Sequence, residues 1–234
     1  YRWKHVRDWV WGTMIPDTLA IAPFYKGAFS YGGGCGNFLA WGVFNREDQK
    51  AENRYMPAGV IKTKAGLTVD KPDEKKVKEY VEHSWYTSPS GLNPQEGETK
   101  AIDSWNNNTY NLDGQYSWGK APRYDEEPME VGPLARMLVG YLSPDNESNA
   151  AIKGVVDYAL NKLGTNDPTI LVSLLGRVAA RNLEAAIICD WALEWVAELA
   201  SVVKAGNAEF FAPYELEDGQ GAGLWEAPRG AVGH

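Results

Sequence analysis

Cysteine is scarce in this chain. Cys35 and Cys189 are the only two in 234 residues, far apart and in no C-x-x-C pair. By themselves they cannot form a structural zinc site or an iron–sulfur site, and two cysteines say little about redox compartment. No apolar run reaches the roughly eighteen residues that a spanning helix needs, and no signal or transit pattern is present. Positive charge is in deficit: 23 Lys and Arg against 31 Asp and Glu give a net charge of −8 and a pI near 5.0. That balance argues against nucleic acid or an anionic membrane as the main partner. The glycine run Gly32-Gly-Gly-Cys-Gly36 lacks the Lys-Ser/Thr of a phosphate loop, so it reads as a flexible loop rather than a nucleotide site. Internal repeats and low-complexity tracts are absent.

Aromatic residues, by contrast, are plentiful. Ten Trp and twelve Tyr suit either an aromatic-rich core or a large partner surface, and composition is compatible with both. With 44% hydrophobic residues the chain has enough apolar surface to fold. Residues 2–15 place Val6, Trp9, Val10 and Ile15 at helical spacing, and Pro16 and Pro23 are expected to break the helix beyond that point. Phe38-Leu-Ala-Trp-Gly-Val-Phe44 reads as strand, and Gly59 to Val69 as a hairpin of two short runs. Pro72 to His83 reads as a helix, with Val77, Tyr80 and Val81 as its stripe. Residues 84–128 are polar and too long for an ordinary loop. The remainder carries three helical segments: Pro133–Leu142, Asn149–Leu163 closed by Gly164, and Pro168–Ala205 closed by Gly206, with Gly176 a possible break in the last. The expected fold is mainly α, a helical bundle core with small antiparallel β additions.

Two motifs carry chemical interest. The first is Tyr116-Ser-Trp-Gly-Lys-Ala-Pro-Arg-Tyr124, followed by Pro128-Met-Glu-Val-Gly-Pro-Leu-Ala-Arg136. Pro122 and Pro128 fix an irregular backbone there. Lys120, Arg123, Glu130 and Arg136 then form either a charge network beside the turn or a set of ordinary solvated charges. The second is Gly221-Ala-Gly-Leu-Trp-Glu-Ala-Pro-Arg-Gly-Ala-Val-Gly-His234. Arg229 sits between a backbone-limiting Pro228 and a permissive Gly230, an arrangement suited to holding a guanidinium over a buried site. A surface turn with an ordinary arginine is the plain alternative. A guanidinium stays charged at any relevant pH and suits an anionic or polarised ligand.

Together, in this order and at this separation, the two motifs resemble the nickel–iron hydrogenase large subunit. That family shows Y-S-W-x-K-A-P-R-[YW] … E-V-G-P-L-A and, about a hundred residues later, G-x-G-[LF]-x-E-A-P-R-G-x-[LV]-G-H. Met14-Ile-Pro-Asp-Thr-Leu-Ala-Ile21, Tyr55-Met-Pro-Ala-Gly-Val-Ile61, Val81-Glu-His-Ser-Trp-Tyr86 and Leu175-Gly-Arg-Val-Ala-Ala-Arg181 with Glu184 are further matches. The resemblance covers nearly the whole chain. It implies that residues 1–234 are a single central portion of such a subunit, truncated at both ends. The family's metal-binding cysteine motifs, R-x-C-G-x-C and D-P-C-x-x-C-x-x-H, are not found here.

The resemblance implies an oxidoreductase that carries out reversible heterolytic oxidation of H2 to protons and electrons. Its cofactor would be a nickel–iron centre with CN and CO on the iron. Its partner would be an iron–sulfur small subunit that takes up the electrons, and its place periplasmic or membrane-associated through partner subunits. Arg229 and Pro228 would lie around the metal pair, Arg229 in an electrostatic role and Pro228 beside the diatomic ligands. Glu130 would belong to a buried polar network. No residue of this chain matches a family metal ligand: Cys35 and Cys189 are expected to be incidental, and His83 and His234 structural. The runner-up is a non-catalytic, quinone-chamber scaffold subunit of the kind found in respiratory complex I. The continuation Gly230-Ala-Val-Gly-His234 and the match Glu130-Val-Gly-Pro-Leu-Ala135 favour hydrogenase over it.

Overall fold

A computed structural model of the chain describes all residues except 1–2, 47–49, 51–52, 88, 98–99, 103–113, 148, 208, 210, 212, 228–229 and 234. The architecture is a helical core with small antiparallel sheets, as the pattern of apolar positions predicts. Helix α3 (Pro133–Leu142) begins with Pro133 in its first turn, where a missing N–H costs nothing, and Pro133 to Gly140 are all buried. Helix α4 (Ala150–Leu163) ends on Gly164 in the left-handed conformation at φ +72°. Helix α5 (Leu174–Lys204) runs 31 residues, about 46 Å at 1.5 Å per residue. A short 3-10 turn at Pro168–Leu171 precedes it. The break in this region falls at Val172–Ser173 rather than at Gly176, because Ser173 Oγ accepts the Gly176 N–H at 3.0 Å and starts the helix there.

A two-stranded sheet lies against α3. Strand β1 (Asn37–Ala40) pairs antiparallel with β2 (Gly59–Lys62), Phe38 opposite Ile61 and Leu39 opposite Val60. Both of its faces are covered. Phe38, Ala40 and Ile61 join the main cluster with Leu134, Leu138, Ile152, Leu160 and Leu183. Leu39, Trp41 and Val60 join a second cluster with Val77 and Tyr124 on the far side. Burial on both faces explains why Phe38-Leu-Ala-Trp41 is continuously apolar instead of alternating. Trp191 and Trp195 of α5 pack around Phe44 and Tyr55, with ring centroids 5.0–6.3 Å apart.

Three expectations are corrected. Pro72–His83 is not a helix: a 3-10 turn at Glu74–Lys76, capped by Asp73 accepting from Lys75 N, leads into strand β3 (Val77–Tyr80). β3 pairs with β4 (Ala121–Tyr124), so tertiary pairing with the distant Lys-Ala-Pro-Arg-Tyr motif overrides local helix propensity. Pro16 does not break the first helix. Helix α1 (Trp3–Trp9) continues through a wider π-turn, Val10–Met14, into α2 (Ile15–Ile21). The Ile15 N–H bonds back to Val10 O, five residues away, and the extra residue in that turn makes room for the Pro16 ring. Lastly, Gly59–Val69 is no simple hairpin. β2 takes β1 as its ladder partner, and the second run contributes one bridge, Val60 with Asp70.

Candidate functional site

The second sequence motif folds as a small hairpin. Strand β5 (Trp225–Glu226) pairs with β6 (Val232–Gly233), Glu226 opposite Val232. Inside it, Ala227 N donates to Ala231 O at 2.8 Å and Gly230 N to Ala227 O at 3.1 Å. Gly230 has φ +120°, and a Cβ there would come within 3.2 Å of Gly132 Cα and 3.3 Å of Val131 O. Only glycine lets the link approach the start of α3 so closely.

Beneath the hairpin lies a buried ionic cluster from three distant segments. Arg136 on α3 donates from Nε to Glu184 Oε1 on α5 at 2.7 Å, and from Nη1 to Glu226 Oε2 at 2.7 Å. The Arg136, Glu184 and Glu226 side chains are 1%, 6% and 0% exposed. The other oxygen of Glu226 accepts the backbone N–H groups of Trp41 and, at 3.2 Å, Gly42. Arg54 binds the carbonyl groups of the same two residues, its Nη1 donating to Trp41 O at 2.5 Å and Gly42 O at 3.2 Å. Charge therefore alternates along the row Glu184, Arg136, Glu226, the Trp41–Gly42 peptides and Arg54.

Burial disfavours the Arg136 charge, but the hydrogen bonds and charges of Glu184 and Glu226 outweigh it and hold its pKa above the ordinary value. For Glu184 burial dominates and pushes the carboxyl up; Arg136 opposes the shift and the like charge of Glu226 adds to it. Such a cluster is costly to desolvate and costly to break, and it specifies which surfaces meet.

Of the residues singled out from sequence, Pro228, Arg229 and His234 lie outside the described residues. Glu130 is described, and it does not join the Arg136 cluster. Both of its oxygens accept from Arg177, Nε to Oε1 at 2.7 Å and Nη2 to Oε2 at 2.5 Å, with about a fifth of each side chain exposed. Glu130 holds the Arg177 pKa above its ordinary value, chiefly through these hydrogen bonds. Arg177 also donates to Gly32 O, and Gly34 sits against both side chains, so this pair ties down the glycine-rich loop.

The single network envisaged for Lys120, Arg123, Glu130 and Arg136 is four separate contacts. Lys120 pairs with Glu79, Arg123 donates to Pro122 O, and Glu130 and Arg136 have the partners above. Arg123 lies on β4, which pairs with β3, whereas Arg136 lies on α3 and bonds to Glu184 of α5. His83 has a structural place: its Nδ1 lies 2.7 Å from Gly114 O and its ring stacks on Tyr116. Cys35 contacts Asn37 O at 3.5 Å, while Cys189 is half-buried in α5, where burial raises its thiol pKa. Sequence reasoning missed Glu226. The available signal was its place directly before Ala-Pro-Arg in a glycine-flanked motif.

The model of the nickel-dependent hydrogenase family matches residues 1–234. The chain belongs to that family. It is 36% identical over 249 residues to the uptake hydrogenase large subunit of Rhizobium leguminosarum bv. viciae, covering 94% of this chain and 40% of the relative. It is 34% identical over 255 residues to the hydrogenase-1 large chain of Escherichia coli, covering 97% of this chain and 41% of that one. Among solved structures, the H2-activated [NiFeSe] hydrogenase of Dm. baculatum superposes with a TM-score of 0.74 at 30% identity, over 98% of this chain and 44% of that chain. This hydrogenase-family chain thus spans about 40% of the length of the curated relatives it matches. These relatives are hydrogenases, and none of them is a quinone-chamber subunit of complex I.

A nickel–iron centre needs a set of converging donors. Among the described residues, no group of three or more His, Cys, Asp or Glu side chains could hold a metal ion. What the hydrogenase-family fold provides here is a buried ionic cluster beneath the hairpin. Among the described residues, no helix is long and apolar enough to cross a membrane.

Proposed function

We propose that this chain is the central portion of the catalytic large subunit of a nickel–iron hydrogenase, the enzyme class that oxidises H2 reversibly to protons and electrons. The family match along all 234 residues carries the reading. In the proposal the cofactor is a nickel–iron pair with CN and CO on the iron. This chain is assigned no metal ligand. Arg229 supplies a fixed positive charge beside the metals, and Pro228 lies beside the diatomic ligands on the iron. A guanidinium remains protonated throughout the working pH range, so its role is electrostatic rather than basic. Glu130 supports the framework through Arg177. An iron–sulfur small subunit takes up the electrons, and the assembly is periplasmic or membrane-associated through partner subunits.

The test is Arg229→Lys in the complete subunit with its partner. Hydrogen-dependent dye reduction should fall by at least about 100-fold, the scale typical of losing one preorganised electrostatic group, while nickel content stays constant. Turnover near that of the parent enzyme would remove Arg229 from the site.

A further inference from the structure

A carboxylate stripped of water must recover its hydrogen bonds from the protein. Glu226 does so with both oxygens, and its partners belong to parts of the core that are themselves fixed. Trp41 and Gly42 continue β1, and Arg136 is buried in α3 and braced on its other edge by Glu184. Glu226 is the last residue of β5, directly before the link 227–231. That link is also held at its far end by the pairing of Glu226 with Val232, and from below by the contact of Gly230 with Val131 and Gly132. Arg136 Nη1 reaches Ala227 O as well, at 3.4 Å. The described residues of that link, Ala227, Gly230 and Ala231, are thus held to one another and against the start of α3.

We propose that Glu226, oriented by Arg136 and Glu184, is a positioning residue: it sets where Ala227 and Gly230, the described residues on either side of 228–229, stand relative to the core, and Arg229 acts through that anchoring. This rests on the reading that Arg229 acts beside the metals. The row of alternating charges explains why a carboxylate is used. A neutral acceptor would satisfy the Trp41 and Gly42 amides, but it would leave Arg136 balanced by Glu184 alone and free to swing toward α5.

The experiment uses the complete subunit with its partner and compares Glu226→Gln, Arg229→Lys and the double variant. Glu226→Gln should lower turnover by about 10- to 100-fold, as a displacement near 1 Å can. KM for H2 should stay within about 2-fold of the parent and nickel content should not change. Amide hydrogen exchange at Trp41, Gly42, Ala227 and Gly230 should speed up, a readout independent of turnover. In the Arg229→Lys background the same substitution should cost less than about 3-fold more, because both act through one group.

Penalties that multiply in the double variant, or unchanged exchange at the link, would overturn the proposal. A parent enzyme without hydrogen uptake, or a fully active Arg229→Lys, would instead refute the functional reading, and the exchange data would still judge the anchoring. If Glu226→Gln does not accumulate, Glu184→Gln leaves Glu226 and its amide contacts in place and only slackens Arg136. Faster exchange at Ala227 and Gly230 is then expected, and unchanged exchange overturns the proposal.

Discussion

Replacing Arg136 with Met keeps most of the side-chain volume and removes the charge that balances two buried carboxylates. Glu226 retains the Trp41 and Gly42 amides, whereas Glu184 loses the cation at 2.7 Å that opposes its desolvation. Breaking a buried ion pair from one side costs about 3–5 kcal/mol. In a cooperative domain of this size that corresponds to a fall in Tm of roughly 6–20 °C. The loss should depend on pH, with a definite sign. The Glu184 pKa is raised in the folded state, so folding favours its protonated form. Its burial costs nothing below the ordinary glutamate range, and the cost grows as pH rises from there through the folded value. Arg136 lowers that folded value, so its removal pushes the carboxyl further up and widens the window. Arg136→Met should therefore lose more stability near about pH 7.5 than near about pH 5. Adding Glu184→Gln should restore at least about 1 kcal/mol at neutral pH, since the unpaired charge is gone. Thermal unfolding followed by circular dichroism reads all of these. A loss under about 1 kcal/mol at neutral pH, or a loss that is larger in acid, would refute the account of a desolvated, mutually balanced cluster.

Two glycines provide a matched pair. Gly176→Ala would push a Cβ to 2.0 Å from Leu171 O and should lower Tm sharply. Gly154→Ala on the open face of α4, where nothing lies within 4 Å, should raise stability by about 0.5–1 kcal/mol, checked by urea unfolding. Ser173→Ala removes the N-cap of α5 and should cost about 1–2 kcal/mol, with faster amide exchange confined to the first turn of that helix. Glu130→Gln leaves Arg177 with one neutral acceptor oxygen in place of two charged ones. Stability should fall by only about 0.5–1.5 kcal/mol, while the Gly32–Cys35 loop becomes more susceptible to proteolysis.

The helical half of the chain was legible because its signals are local. Pro133 at a first turn, Gly164 and Gly206 beyond last turns, and apolar stripes between them mark α3, α4 and α5 without reference to anything distant. The first half resisted for the opposite reason. Val77–Tyr80 carries Lys, Glu and Tyr that suit a helix, and it became a strand only because Ala121–Tyr124, more than forty residues away, offers it an edge. Pro16 forecast a break that a single wide turn absorbed.

Long motifs, in an order and at a separation unlike chance, were enough to give the family, and 3.6-residue periodicity was enough to give the helical core. Which charges meet depended on how the elements pack. Arg136 looked like a neighbour of Glu130, six residues before it, yet Glu130 belongs to Arg177 and Arg136 to Glu184 and Glu226. Ion pairs form across packed elements wherever burial makes an unpartnered charge intolerable, and spacing along the chain carries no record of which elements those are.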